Sequence, residues 1–291
     1  MKRWIKKNQL LLYLFLTYLI ACIATILHNV FGIHFISQSN LTFPAVILWV
    51  FYIFSPTISG FLITTFVEGK KGILNVIRGY TIVKVNWFWY FGALILLLAP
   101  LSIGFIFFIL EKSPGPSDSI SVGNIFYLIG FGLLSGPISE EGGWRGFMLP
   151  KLESKHNASV SSLILGFTWY VWHIPLYFIE GTSQYESLQY GIVSSIVSIS
   201  IYWVLVMVIA QILTFLYNNS RGSLIITILA HFCFNFSSTL ILNSGLGLLE
   251  PMTFNIVGSI LAIAYLVLIY AGFGYQNMSR KDKDKLPFNR S

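Results

Sequence analysis

Apolar runs too long for a soluble core recur along this chain. Eight stretches, at about 8–28, 43–67, 86–110, 122–140, 158–179, 190–217, 222–243 and 253–275, consist mostly of Leu, Ile, Val, Phe and small residues. Some 18 or more apolar residues suffice to cross the hydrocarbon layer as a helix. In lipid the backbone must satisfy its own hydrogen bonds, which leaves helices or closed barrels. The sequence therefore predicts an all-α fold, a polytopic membrane helical bundle with about eight transmembrane helices. Composition agrees, with 55% hydrophobic and 10% charged residues in 291, against about 25% charged in a soluble domain.

The N-terminus, MKRWIKKNQ followed by an unbroken apolar run, predicts an uncleaved first helix, because a signal peptide has a shorter apolar core. Cys22 and Cys233 both lie inside apolar runs. They form neither a disulfide framework nor a metal cluster, and are expected to be small core residues.

The formal net charge of +7 is a topology signal. Lys2, Arg3, Lys6 and Lys7 precede the first run; Lys70, Lys71, Arg78 and Lys84 separate the second and third. Arg145, Lys151 and Lys155 follow the fourth, Arg221 the sixth, and Arg280, Lys281, Lys283, Lys285 and Arg290 the eighth. This puts 17 of the 18 Lys and Arg residues on one side, with Lys112 alone on the other. The positive-inside rule makes that side cytoplasmic and puts both termini there. The basic pI then calls for no nucleic acid; the partner is the lipid bilayer. Four segments follow: N-terminal transmembrane helices over 1–67, a core over 68–243, a last transmembrane helix over 244–275 and a basic cytoplasmic tail over 276–291. Within 68–85, basic residues alternate with Ile73, Leu74, Ile77 and Ile82. Pattern alone fits either an interfacial segment or an ordinary basic loop.

Against this background, residues 139–147, SEEGGWRGF, stand out. An ionisable group inside a span costs roughly 2.5–3.5 kcal/mol on insertion scales and is a functional candidate by default. Glu140 and Glu141 are joined by His173 in FTWYVWHIPLYF and by His231 and Asn235 in TILAHFCFNFSS. Each alone fits ordinary hydrogen bonding between helices; together they indicate a site. Glu141 and Arg145 are four apart, as are His231 and Asn235, so each pair shares a helix face. Gly142 and Gly143 give up helix propensity, which fits close approach by a neighbouring helix or a substrate. Pro137 disturbs the same helix and frees a carbonyl.

Such a set can hydrolyse an amide. Two adjacent carboxyls resist joint ionisation, so a cation paired with Glu141 leaves Glu140 to exchange protons, while Asn and His can donate to an oxyanion. Ser139 has no recognisable triad partner. Two histidines and a glutamate are also a catalytic zinc ligand set, although HExxH is missing. Depth poses a problem. At about 1.5 Å per residue, His231 lies about 15 Å beyond Arg221 and His173 about 27 Å beyond Lys155. Either helices tilt or part of 146–157 dips into the membrane, with a cavity expected to open toward the basic, cytoplasmic side.

Glu140-Glu141-Gly-Gly-Trp-Arg145-Gly146 resembles the EExxxRG signature of the CPBP (CAAX protease and bacteriocin-processing, or Abi) family, whose best-known members are prenyl-protein endopeptidases. Trp169-Tyr-Val-Trp-His173 resembles its FxxxH motif, with Trp where Phe is usual, and His231-Phe-Cys-Phe-Asn235 its HxxxN motif. The three occur in the family's order, and the resemblance covers roughly 68–243. It implies an intramembrane glutamic-type endopeptidase without cofactor or metal, acting on a peptide or protein substrate in a bacterial cell membrane, in peptide processing or bacteriocin self-immunity. Glu140 would be the general base, assisted by His173; His231 and Asn235 would stabilise the oxyanion; Glu141, Arg145 and Trp169 would support the site. Two readings stay open beside it: a non-catalytic membrane immunity or transport protein that uses the cluster for binding, and a zinc-dependent membrane peptidase.

Overall fold

The computed structural model describes residues 2–32, 42–115, 122–189, 191–241, 246–249, 251–281 and 283–287. Among these residues there are helices and connecting turns and no strand. A short α1 (Lys2–Lys7) leads into α2 (Gln9–Phe31), α3 (Phe43–Val67), α4 (Gly69–Gly79) and α5 (Trp87–Ile109). After these come α6 (Val122–Leu133), α7 (Ser139–Gly143), α8 (Leu149–Glu153), α9 (Ala158–His173), α10 (Ser183–Glu186), α11 (Ile192–Asn219), α12 (Leu224–Ile241) and α13 (Pro251–Phe273).

Six helices, α2, α3, α5, α11, α12 and α13, are long and apolar enough to cross a membrane. The expected spans at 122–140 and 158–179 are helical too, but broken. From Leu133 the first passes through π-helical turns at Leu134–Ile138 and Trp144–Met148 before α8 ends at Glu153. Pro137 lies in the first of these turns, where its missing N–H and ring prevent a regular α-helical turn. The second stops at His173, where Pro175 redirects the chain into the 3₁₀ turn Ile174–Phe178.

Helix α2 packs on α3 through Tyr13, Thr17, Ala21, Ala24 and His28, a seam at helical spacing whose small residues permit close approach. Its opposite side exposes Leu11, Phe15 and Ile23, as a lipid-facing surface should. Cys22 also lies on that exposed side and is no core residue; Cys233 is buried, as expected.

The connections rich in basic residues gather at one end. The Lys151 ammonium pairs with Glu68 at 3.1 Å, and Arg221 donates to the Lys84 carbonyl. Asn218 donates to Glu153 at 2.6 Å, and Lys281 caps the end of α11 at the Asn218 and Asn219 carbonyls. At the other end the Gly115 N–H donates to Gly247 and Ser113 to Leu248. The expected alternation of connections therefore holds for these segments; Arg290 lies outside the described residues. Arg145 departs from it. It is fully buried in the second π turn, so it is a site residue and no loop cation. Segment 68–85 is no plain loop. Its first part is α4, which buries Gly72, Val76 and Gly79 against the bundle and exposes Leu74 and Ile77 beside Lys70, Lys71 and Arg78.

Candidate active site

Glu140 and Glu141 sit on α7, one helical turn held between two π turns. Wider π turns are recurrent at functional sites, because they re-aim side chains that a regular helix would stack. Both glutamates are buried. The double glycine lets α3 approach this turn. Any side chain on Gly143 would collide with the Pro56 backbone, and one on Gly142 with Thr57 and the Tyr80 hydroxyl. The Gly143 N–H donates to Thr57 Oγ1 at 3.1 Å. The expected close approach is thus made by a neighbouring helix.

The carboxyls have separate partners. Glu141 Oε1 accepts from Arg145 Nη1 and from His231 Nδ1, each at 2.9 Å. Arg145 is itself enclosed, with its guanidinium 4.6 Å from the centre of the Trp169 ring. Glu140 Oε2 accepts from the Trp169 indole N–H at 2.6 Å. Phenylalanine could not make that bond, so the departure at position 169 has a chemical consequence. The sequence marked Trp169 only as a retained aromatic.

The other oxygen of Glu140 faces a small polar hollow at Gly136. A methyl carbon built on Gly136 would stand 3.4 Å from Glu140 Oε1, 3.6 Å from His231 Nε2 and 3.1 Å from Asn235 Nδ2. Three of the four expected catalytic side chains therefore converge on one space of atomic size. We expect Gly136→Val to fill it and lower hydrolysis by roughly a hundredfold or more, the scale of losing an oxyanion donor. Gly130→Val is the control, since nothing lies within 4 Å of that position's side-chain direction. Turnover of a peptide substrate and the melting temperature of both variants measure the effect.

His173 is placed differently. Its Nδ1 lies 2.8 Å from the Trp169 carbonyl. A carbonyl can only accept, so Nδ1 carries the proton and Nε2 is left with its lone pair. Its ring lies against Trp172 at 4.9 Å, Tyr202 at 5.6 Å and Trp169 at 5.8 Å between centroids. Among the described residues no hydrogen bond joins His173 to Glu140. The Trp172 indole donates to Ser55 and Tyr52 donates to the Trp172 carbonyl, which anchors this end of α9 to α3.

The depth problem resolves through the dip. Residues Trp144, Arg145, Phe147, Met148 and Leu149 are all buried, so the stretch after the glutamates continues inside the bundle. Tyr13, from the first long helix, packs edge-on to Trp144 at 5.7 Å and against Phe147 at 4.9 Å. Tyr13, Pro56, Thr57 and Tyr80 all support the site, and no motif announced them. Ser139 Oγ is committed to the Gly136 carbonyl at 3.1 Å. Among the described residues, no three His, Cys, Asp or Glu side chains are grouped to hold a metal ion.

Residues 122–237 match the family model described as Type II CAAX prenyl endopeptidase Rce1-like. A curated relative, CAAX prenyl protease 2 of Methanococcus maripaludis, is 30% identical over 129 residues. That alignment spans 43% of this chain and 45% of the relative, less than half of each. The region matched by the family model contains Glu140, Glu141, Arg145, Trp169, His173, His231 and Asn235.

Proposed function

We infer, from the match of residues 122–237 to the Rce1-like family model and the similarity to a CAAX prenyl protease, that this chain is an intramembrane endopeptidase working through a glutamate-activated water. The observation that carries this reading is the convergence of Glu140 Oε1, His231 Nε2 and Asn235 Nδ2 on one hollow. A water bound beside these three groups would have a base and a donor within reach.

In the reaction Glu140 takes a proton from that water, and the hydroxide attacks the scissile carbonyl. Asn235 Nδ2 donates to the oxyanion of the tetrahedral intermediate, a contribution of roughly 2.7–4 kcal/mol for a well-placed donor. Glu140 returns the proton to the leaving amide nitrogen, and the products are a carboxylate and an amine. His231 donates a hydrogen bond from Nδ1 to Glu141, which holds the ring with Nε2 toward Glu140 and Asn235, where the oxyanion forms. His173 presents Nε2 as an acceptor that orients the water. Arg145 holds the Glu141 carboxyl in place through their 2.9 Å ion pair. The basic end faces the cytoplasm, where the excess of Lys and Arg belongs.

Purified full-length protein incubated with a panel of peptides and membrane-protein segments, with and without a chelator, tests this reading. Cleavage that persists in chelator and disappears in Glu140→Gln is the expected result. Loss on chelation, restored by added zinc, would replace it with a metallopeptidase. Trp169→Phe keeps the ring stack but loses the indole donor to Glu140. A hydrogen bond to a charged group contributes about 1.5–3 kcal/mol, so kcat should fall by roughly ten- to hundredfold as Glu140 loses its anchor, with a fall of several degrees in melting temperature at about 2–4 °C per kcal/mol.

A further inference from the structure

The segment that joins α3 to α5 lies where two helices long and apolar enough to cross a membrane emerge at the basic end. Glu68 closes α3, Gly69 turns the chain at a positive φ of 67°, and α4 follows at once. Its 11 residues span about 16 Å at about 1.5 Å per residue. A helix this short gains little from its own hydrogen bonds, so its faces decide what holds it. Gly72, Val76 and Gly79 form the buried stripe. At about 100° per residue, the rest of the surface divides in two. Ile73, Ile77 and Leu74 fall on one side with Lys70 among them; Arg78, Lys71 and Asn75 fall on the other. Lys70, Lys71, Leu74, Ile77 and Arg78 are all exposed.

The inner stripe touches the turn that carries the glutamates. Val76 Cγ1 stands 3.0 Å from where a side chain on Gly146 would begin. The hydroxyl of Tyr80, the residue after α4, fills the space that a side chain on Gly142 would need. Gly142 follows Glu141 and Gly146 follows Arg145, so this segment braces both members of the buried ion pair. Gly79 lies against Leu224 at the start of α12, the helix that carries His231. The outer surface is differently placed. Among the described residues none of Lys70, Lys71 and Arg78 makes an ion pair, since Glu68 is taken by Lys151. Trp87, at the first turn of α5, is exposed, as Trp is at a membrane–water interface.

We propose that the outer surface of α4 binds anionic phospholipid at the bilayer surface, and that this seating sets the turnover of the catalytic turn. Cations beside exposed apolar side chains are the layout of a helix lying in the interface, and Lys and Arg are drawn to a negative membrane surface. Leu74 and Ile77 enter between the headgroups, while Lys70, Lys71 and Arg78 meet their phosphates. Held there, α4 keeps Val76 and Tyr80 against the two glycines, which steadies Glu141 and Arg145 and, through Glu141, His231. In a neutral membrane the charge attraction is lost and the turn loses part of its brace. The coupling to turnover rests on the hydrolytic reading above; the lipid contact does not.

The test uses the purified full-length chain in nanodiscs of phosphatidylcholine, alone or mixed with phosphatidylglycerol. An uncharged, internally quenched peptide reports turnover, because lipid charge does not change its partitioning. Phosphatidylglycerol should raise kcat about fivefold, the equivalent of one cation's attraction to such a surface, and slow amide exchange over residues 69–80. Lys70→Gln, Lys71→Gln and Arg78→Gln combined should abolish both responses and keep the wild-type turnover seen in phosphatidylcholine. Arg3→Gln, Lys6→Gln and Lys7→Gln combined remove the same charge from α1 and should keep both responses. Tyr80→Phe should keep the exchange response and lose the response of kcat. Turnover and exchange that ignore phosphatidylglycerol, or that respond equally in the α4 variant, overturn the proposal and leave hydrolysis standing. Loss of the responses in the α1 variant overturns it too. A wild-type chain that cleaves no peptide in either membrane overturns the hydrolytic reading and the coupling, while amide exchange still decides the lipid contact.

Discussion

Replacing Glu140 by glutamine is expected to reduce peptide cleavage by roughly 10²–10⁴-fold, the range of a positioned general base, without loosening the fold. The substitution is close to isosteric, and the amide oxygen of glutamine can still accept from the Trp169 indole, which lies 2.6 Å from Glu140 Oε2. What disappears is the proton acceptor at Oε1, the oxygen that faces His231 and Asn235 across the hollow. Product formation followed by mass spectrometry, with the melting temperature measured on the same preparation, separates chemistry from folding. Glu140→Asp extends the test. Shortening the side chain by one methylene retains a carboxylate but withdraws it from the hollow, so the rate should fall there as well. If Glu140→Gln cleaves as fast as wild type, the proton acceptor is another group. If a membrane-immunity phenotype survives the change intact, the polar cluster binds and does not cut.

The membrane class was legible because lipid imposes a single strong rule on the backbone, and runs of 18 or more apolar residues obey it. The grouping of connections was legible for the same reason: charge stays out of hydrocarbon, and Glu68, Lys84, Lys151, Arg221 and Lys281 do meet at one end. Arg145 shows where this logic stops. Hydropathy cannot tell a cation in a loop from a cation compensated inside the bundle, and only the Glu141 carboxylate four residues earlier hinted at the difference. Breaks in the helices are local and were half visible. Pro137 announced the first, whereas the break at Pro175 was passed over inside the expected span 158–179, and the widening into two π turns around α7 depends on packing against α3.

Within the site, the motif residues were readable as types but not as contacts. Glu141, Arg145 and His231 form one hydrogen-bonded chain, and the i,i+4 spacing pointed to its first link. The link from His231 to Glu141 joins residues 90 positions apart, and no spacing rule reaches that far. Tyr13, Pro56, Thr57 and Tyr80 were invisible, because an aromatic or a proline in an apolar run looks the same whether it faces lipid or a catalytic turn.

Arg145→Met should give the largest loss of stability of any single change at the site. Arg145 and Glu141 are paired at 2.9 Å with neither side chain exposed, so removing the cation strands a carboxylate whose remaining partner is His231. Breaking a buried pair in this way costs about 3–5 kcal/mol, a large part of the roughly 5–15 kcal/mol that typically holds a domain together. At about 2–4 °C per kcal/mol the melting temperature should fall by roughly 10 °C or more. The double variant Arg145→Met/Glu141→Leu separates the structural role of the pair from its chemical one. Apolar side chains of similar volume often replace a buried ion pair at no net cost, so most of the lost melting temperature should return. Activity should not, because His231 Nδ1 then has no acceptor and its Nε2 is no longer held toward the hollow. A double variant that recovers both stability and turnover would mean that Glu141 and Arg145 only brace the helix. One that recovers stability alone assigns them the orientation of His231.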